Sequence, residues 1–351
     1  MQLERIIKQI QLLDEASMTS AQARQNMLTK PRGSLGRLEE LSIQLAGMTA
    51  NPFPSVERKT VIVMAADHGV TREGVSAYPA EVTPQMVLNF LRGGAAINVL
   101  ARQSNARVVV VDMGVTSEIE DASGELIRRK IGLGTANLAK GPAMTREQAI
   151  ESIQSGIEIC EEEISRGVEI LATGDMGIGN TTPSAAIACA LMNQSPENIV
   201  GRGTGVDDTV LKRKIAVIAR ALDVNRPNAN DALDVLAKVG GFEIGGLAGV
   251  MLAAAANRKP ILIDGFISTA AAMIAASLAP VARNYMIAAH VSQERGHKLM
   301  LEWLGLKPLL DLNMRLGEGT GAALAFHLIE ASSLILREMA TFDEAGVSDK
   351  E

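Results

Sequence analysis

The stretch that decides the fold is VIVMAADHG, residues 61–69. Its first six residues are apolar without alternation, and Asp67, His68 and Gly69 follow them at once. A short apolar run of this kind is typical of a strand that is covered on both faces, as in a parallel sheet. The polar residues after the run would then lie at the carboxyl edge of that sheet.

Four further runs repeat this pattern. They are residues 108–111, 168–172, 261–263 and 285–289, which lead to Asp112, Asp175, Asp264 and His290. Helical patterns of suitable length separate the runs and indicate repeated strand–helix–strand units. We therefore predict an α/β fold, with a mainly parallel sheet and helices on both faces. Ligands of such sheets bind outside the carboxyl ends of the strands. We expect some of these acids only to cap a following helix.

The composition disfavours several classes of protein. The chain has 351 residues, 47% of them apolar and 21% charged, which is enough for one large core with a satellite or for two domains. Aromatic residues make up only 3% and the net charge is −6, so a nucleic-acid partner is not expected.

The cysteines and the apolar runs indicate a cytoplasmic protein. Cys160 and Cys189 provide neither a disulfide framework nor a metal-ligand spacing, and both fit small buried apolar positions in a reducing compartment. The longest uncharged run, residues 266–282, is too short for a membrane span and reads as a buried helix. We expect no membrane partner, no metal and no cofactor.

Two glycine-rich loops are candidates for phosphate binding. The first is TGDMGIGNTTP, residues 173–183, which follows a strand and precedes an apolar helix with Thr182 as its expected N-cap. The second is GRGTG, residues 201–205. Glycines and hydroxyls at a helix N-terminus suit an anion. Neither loop has the spacing of a P-loop or of a dinucleotide fingerprint.

The stretch MRLGEGTGAA, residues 314–323, contains one acid among three glycines and precedes an apolar helix. Two interpretations are open. Glu318 is a general base held in an apolar surrounding, or it is an ordinary first-turn acid stabilised by the helix dipole. Considered singly, Lys214 fits a solvated helix face and Ser292 fits a helix cap.

Four stretches together carry a resemblance to a known family. They are ADHGV (66–70), EVTPQMVLNF (81–90), GDMGIGNTT (174–182) and MRLGEGTGAA (314–323). In this order they resemble the nicotinate-nucleotide:dimethylbenzimidazole phosphoribosyltransferases of cobalamin lower-ligand assembly, from about Lys30 to Leu328. The resemblance implies a homodimer whose large Rossmann-like domain (59–324) is joined by a small helical domain (1–58 with 325–351).

The resemblance also implies a reaction and its residues. The phosphoribosyl group of nicotinate mononucleotide would pass to 5,6-dimethylbenzimidazole, giving α-ribazole 5′-phosphate and nicotinate with inversion at C1′. Glu318 would be the catalytic base, and Asp175 would be a second acid at a position where the family commonly has Glu. The phosphate and ribose would be held by Gly177, Ile178, Gly179, Asn180, Gly203, Lys214 and Ser292. The benzimidazole pocket would be lined by Gln85, Met176 and Leu316.

Two other functions remain open at this point. A nicotinamide-dinucleotide oxidoreductase would use the glycine loops, although GEGTGA (317–322) has its third glycine one residue early. A sensor that binds a nucleotide or a benzimidazole without catalysis is the other alternative. A sensor has no need of a base, so the acid pair Asp175 and Glu318 disfavours it.

Overall fold

The computed structural model describes residues 2–203 and 205–348. The α-helices are α1 (Gln2–Gln9), α2 (Glu15–Met27), α3 (Arg37–Thr49), α4 (Val82–Leu91), α5 (Ala96–Gln103), α6 (Arg146–Ser165), α7 (Thr181–Met192), α8 (Pro196–Ile199), α9 (Asp208–Asn225), α10 (Ala232–Val239), α11 (Phe242–Ala256), α12 (Phe266–Leu278), α13 (His297–Leu304), α14 (Thr320–Glu338) and α15 (Phe342–Ala345). The strands are β1 (Lys59–Ala66), β2 (Ala106–Gly114), β3 (Ile127–Arg128), β4 (Ile170–Met176), β5 (Ile261–Ile263) and β6 (Met286–Ala288). Turns of 3₁₀-helix cover Gly69–Glu73 and Pro280–Tyr285.

The strands form one parallel sheet in the order β3-β2-β1-β4-β5-β6, which confirms the predicted α/β class. The five predicted strands are present, and β3 is a short strand that the sequence patterns do not indicate. The strand order reverses between β1 and β4, which is the switch point of a doubly wound sheet. The register there pairs Met64 of β1 with Asp175 of β4.

Helices cover both faces of the sheet. The side chain of Val61 lies against Gly319 at the start of α14, whereas the side chain of Met64 lies against Gly246 of α11. Residues three apart on a strand point to opposite faces. The helices α14 and α11 therefore pack on opposite sides of β1, and α6 packs on α11.

The N-terminal and C-terminal helices pack together. The second half of α14 contacts α2 and α3 through Ala21, Ala46 and Leu336, and Thr29 donates a backbone hydrogen bond to Ala340 (3.0 Å). The apolar core runs from the sheet into α1 and α3 without a break. The domain boundaries at residues 58 and 324 stay a prediction. None of the described helices is long and apolar enough to cross a bilayer.

Asp264 fixes the start of α14. It follows β5 and is 1% exposed, and its two carboxylate oxygens accept hydrogen bonds from the backbone N–H groups of Gly319 (3.1 Å) and Ala322 (3.0 Å). It therefore caps a helix, as expected for some of the strand-end acids, but the helix is α14 and not the neighbouring α12. The cap joins the carboxyl edge of the sheet to the segment that contains Glu318.

We predict that Asp264→Ala lowers the free energy of unfolding by about 2–4 kcal/mol, because two hydrogen bonds to a buried carboxylate are lost together. Asp14→Ala is the matched control. Asp14 caps α2 through Ser17 at a partly exposed position, where a lost cap costs about 1 kcal/mol. Urea unfolding of both variants measures the difference, and equal losses would contradict a special role for Asp264.

Candidate active site

A cavity of about 320 Å³ opens at the carboxyl ends of the strands, at the switch point. Nine of the twelve residues predicted for the site line it, namely Asp175, Met176, Gly177, Ile178, Asn180, Gly203, Ser292, Leu316 and Glu318. They come from the end of β4, from the loop before α9, from the loop after β6 and from the segment before α14. The structure thus brings the two glycine-rich loops and the acid of residues 314–323 to one place.

Glu318 occupies a strained backbone position. Its φ is +64°, between Gly317 at +84° and Gly319 at +94°, in a region that non-glycine residues seldom adopt. A Cβ at Gly174 of β4 would collide with the carbonyl oxygen of Glu318, so glycine is required there for this close approach. Strain of this kind persists where surrounding contacts hold it, and it is common at functional sites.

The Glu318 carboxylate lies at the N-terminus of α5 and not in the first turn of α14. Its Oε2 accepts a hydrogen bond from the Ile97 N–H (3.3 Å), and the side chain is buried at the edge of the cavity. Burial raises the pKa of Glu318, the Ile97 hydrogen bond acts against this shift, and the charge of Asp264 adds to it. The interpretation of Glu318 as an ordinary first-turn acid of α14 is therefore wrong.

Asp175 faces the same cavity with one oxygen unsatisfied. Its Oδ1 accepts a hydrogen bond from the Asn180 side chain (3.0 Å), whereas its buried Oδ2 has no partner among the described residues. Burial, followed by the negative charges of Asp264 and Glu243, raises the pKa of Asp175 well above its ordinary value. These effects favour the protonated form of Asp175 relative to a solvated aspartate.

A buried pair lies under the loop that follows β4. His68 Nε2 is 2.9 Å from Glu243 Oε1, and both side chains are completely buried. Burial alone would lower the pKa of His68, but the adjacent Glu243 carboxylate raises it above its ordinary value. A Cβ at Gly177 would lie 3.1 Å from His68 Nε2, so the pair supports this loop from below.

The glycine-rich loop after β4 is held by a residue that sequence reasoning missed. The buried Thr83 of α4 accepts a hydrogen bond from the Ile178 N–H (3.1 Å) and so fixes the backbone beside the cavity. The helix that follows, α7, begins at Thr181 with Asn180 at its N-cap. The prediction of Thr182 as the N-cap is therefore too far along the chain, and Thr182 is buried inside the helix.

Lys214 is buried, which corrects its interpretation as a solvated residue. It is 1% exposed, and its Nζ donates a hydrogen bond to Thr181 Oγ1 (2.6 Å) and lies close to Gly203. Burial lowers the pKa of Lys214 to about 8, against the opposing charge of Glu294. A cation at this place can bind an anion in the cavity.

Ser292 is held by a neutral histidine and is not a helix cap, because α13 begins at His297. The Ser292 N–H donates to His297 Nδ1 (2.7 Å), and His297 Nε2 lies 2.8 Å from Thr269 Oγ1. Burial, with the nearby His290, lowers the pKa of His297 to about 3. With Nδ1 as the acceptor, the ring carries its proton on Nε2 and donates it to Thr269.

Besides Lys214, two predicted residues lie apart from the cavity wall. Gln85 is exposed on α4, and its neighbour Met86 lines the cavity instead. Gly179 lies in the turn before α7 with a φ of +87°. Their binding roles stay predictions.

Several residues of the site carry no sequence signal of their own. Arg315 donates to the carbonyl oxygen of Gly203 (3.1 Å) and lines the cavity together with Glu294.

Two of the strand-end acids hold loops and do not line the cavity. Asp67 accepts a hydrogen bond from the Thr116 N–H (2.8 Å), and Asp112 accepts one from the Val115 N–H (2.8 Å). Among the described residues, no group of three acids, histidines or cysteines is placed to hold a metal ion.

Fold and cavity together define a doubly wound α/β protein with a small-molecule site at its switch point. A sequence model described as phosphoribosyltransferase matches residues 10–347. The nicotinate-nucleotide–dimethylbenzimidazole phosphoribosyltransferase of Chloroflexus aggregans is 60% identical over 99% of both chains. The protein of the same name from Roseiflexus sp. is 61% identical over 99% of this chain and 98% of its own.

A solved structure agrees with these relatives. The crystal structure of CobT from Thermus thermophilus matches with a TM-score of 0.92 and 49% identity, over 95% of this chain and 100% of that chain. The chain is an enzyme of the phosphoribosyltransferase class. It belongs to the nicotinate-nucleotide–dimethylbenzimidazole phosphoribosyltransferase family, which confirms the resemblance drawn from the sequence.

We predict that Lys214→Met weakens the binding of inorganic phosphate by about 10- to 100-fold, because a charged hydrogen-bond donor is lost. Binding to the unchanged protein should also weaken as the pH rises through about 8, since the neutral amine no longer provides a charge. Calorimetry over a pH series measures both effects. The exposed Lys212→Met is the matched control, and an alkaline loss that persists in Lys214→Met would contradict the assignment.

Proposed function

We propose that this enzyme transfers the phosphoribosyl group of nicotinate mononucleotide to 5,6-dimethylbenzimidazole, giving α-ribazole 5′-phosphate and nicotinate. The single observation that carries the proposal is the arrangement of one cavity. Glu318 and Asp175 line it at the switch point, and Gly203 and Ser292 line it beside the buried Lys214. A nucleotide bound there would place its reacting carbon near the two acids and its phosphate near Lys214.

The acid pair fits a single displacement. One benzimidazole nitrogen would attack C1′, while the C1′–N bond to nicotinate breaks and its electron pair returns to the pyridine ring. The proton on the second benzimidazole nitrogen becomes acidic as charge develops, and Glu318 would take it. Its raised pKa supports this role, because a general base is most effective when its pKa is near the working pH.

Asp175 is suited to the positive charge of the donor. The bound nicotinate ring is a cation, and positive charge also develops at C1′ during the displacement. A nearby cation would lower the pKa of Asp175 again, so the ionised carboxylate would form when the donor is bound. Aspartate in place of the family's common glutamate is one methylene shorter, and its Oδ2 has no other partner among the described residues.

We further propose a homodimer in the cytoplasm. Tyr78 and Leu316 line the cavity and expose apolar side chains, 53% and 58% respectively, which supports cover by a second chain. The unpaired, buried Cys160 and Cys189 support a reducing compartment. Light scattering and cell fractionation would check the two statements.

We predict that Glu318→Gln folds like the unchanged protein but loses about 10²–10⁴-fold in turnover, because the general base is removed. The assay follows nicotinate release from nicotinate mononucleotide with and without added 5,6-dimethylbenzimidazole. Glu302→Gln, an exposed change on α13, is the control. Nicotinate release that does not depend on added 5,6-dimethylbenzimidazole would argue against the mechanism. A nearly native rate in Glu318→Gln would also argue against it. Ligand binding without release would favour a sensor.

The pH dependence provides an independent check of Glu318. Because the base must be ionised, we expect kcat/KM to fall as the pH falls through the raised pKa of Glu318, at a pH above the ordinary range of a glutamate. The residual activity of Glu318→Gln should lack this acid limb. An acid limb that remains in the variant would assign the titration to another group.

A further inference from the structure

Glu294 is a buried carboxylate that the mechanism above does not use. It lines the cavity, is 6% exposed, and its buried Oε2 has no hydrogen-bond partner among the described residues. The carboxylate lies so close to Gly201 that a Cβ there would collide with Oε2. A carboxylate oxygen in this state is destabilising in the unliganded protein, since burial without a partner costs free energy.

Lys214, a buried cation of the site, does not form an ion pair with it. Lys214 feels the charge of Glu294, yet its Nζ donates to Thr181 Oγ1 (2.6 Å), and no direct Lys214–Glu294 ion pair forms within the described chain. A buried ammonium and a buried carboxylate thus occupy one end of the site without bonding to each other. A ligand that accepts from the ammonium and donates to the carboxylate would satisfy both.

The chemistry of the substrates, on the function proposed above, limits what that donor can be. The 5′-phosphate is mainly dianionic at neutral pH and provides acceptors, as does the nicotinate carboxylate. The N–H of the benzimidazole is assigned to Glu318. The two ribose hydroxyl groups are the donors that remain.

We propose that Glu294 accepts a hydrogen bond from the ribose 3′-hydroxyl of the nucleotide and selects for it. Glu294 belongs to the phosphate end, because its N–H donates to Ser292 Oγ (3.3 Å) and its charge acts on Lys214. The 3′-carbon adjoins C4′, which bears the phosphate arm, whereas the 2′-carbon adjoins C1′ near Asp175. A nucleotide without the 3′-hydroxyl leaves the carboxylate buried and unpaired, so the site discriminates against it.

The test compares three donors, namely nicotinate mononucleotide, its 3′-deoxy analogue and its 2′-deoxy analogue, each with 5,6-dimethylbenzimidazole. For the unchanged enzyme we expect kcat/KM to be about 10- to 100-fold lower with the 3′-deoxy donor. In Glu294→Gln the natural donor should lose a similar factor and this discrimination should fall several-fold, and in Glu294→Ala it should disappear. Glu302→Gln should keep the full discrimination.

Each other outcome overturns the proposal in a recognisable way. Unchanged discrimination in both variants excludes the hydroxyl contact, and discrimination lost only against the 2′-deoxy donor refutes the 3′ assignment. If the Glu294 variants lose the same factor in kcat/KM with all three nucleotides, Glu294 acts through Lys214 and not through a hydroxyl group. A lower melting temperature of unliganded Glu294→Gln means a structural role, since removing an unpaired charge should keep or raise stability.

The proposed Glu294 contact and the proposed transfer reaction can be tested separately. If the unchanged enzyme releases no nicotinate, the proposed reaction is wrong, but calorimetric binding of the natural and 3′-deoxy nucleotides still tests Glu294. Discrimination in binding that depends on Glu294 would uphold the contact without the reaction. Its absence would overturn the contact whatever the reaction is.

Discussion

The hydrogen bonds from the N-terminus of α14 to Asp264 are the constraint on which the site depends. They hold Gly319 against the sheet, and Gly319 directly follows Glu318. The unusual φ of Glu318 is therefore imposed from one side by this cap and from the other by the close contact with Gly174. Because α14 continues to α2 and α3, one helix links the geometry of the site to the packing of both chain ends.

The second constraint is charge. Four carboxylates, those of Asp175, Glu243, Asp264 and Glu318, are buried within a short distance of the switch point, where burial disfavours ionisation. The backbone N–H groups at helix N-termini stabilise Asp264 and Glu318, and His68 stabilises Glu243. Among the described residues, Asp175 alone of the four has neither a cation nor a helix N-terminus as its partner, and the Asn180 side chain donates its hydrogen bond.

The fold could be predicted from the sequence because a strand that is buried on both faces requires a continuous apolar run, as in residues 61–66 and 108–111. The short strand β3 has no such apolar run. The loops around Asp175 and Glu318 could be singled out because a close backbone approach requires glycine at fixed positions, whereas the roles of their residues were implied by the family resemblance. Lys214 could not be placed from its own sequence, since burial of a helical lysine depends on a loop that is distant in the chain. The same limit hid Thr83, which accepts a hydrogen bond from the distant Ile178 N–H, and His297, which links the nearby Ser292 N–H to the Thr269 hydroxyl group.

These hidden residues share a physical property that explains their function. Thr83 and His297 hold loops beside the cavity through hydrogen bonds, whereas Asp175 and Glu294 each keep a buried oxygen without a partner among the described residues. Supports that are held by hydrogen bonds position the acids of the cavity before a ligand binds, and such preorganised groups favour binding and catalysis.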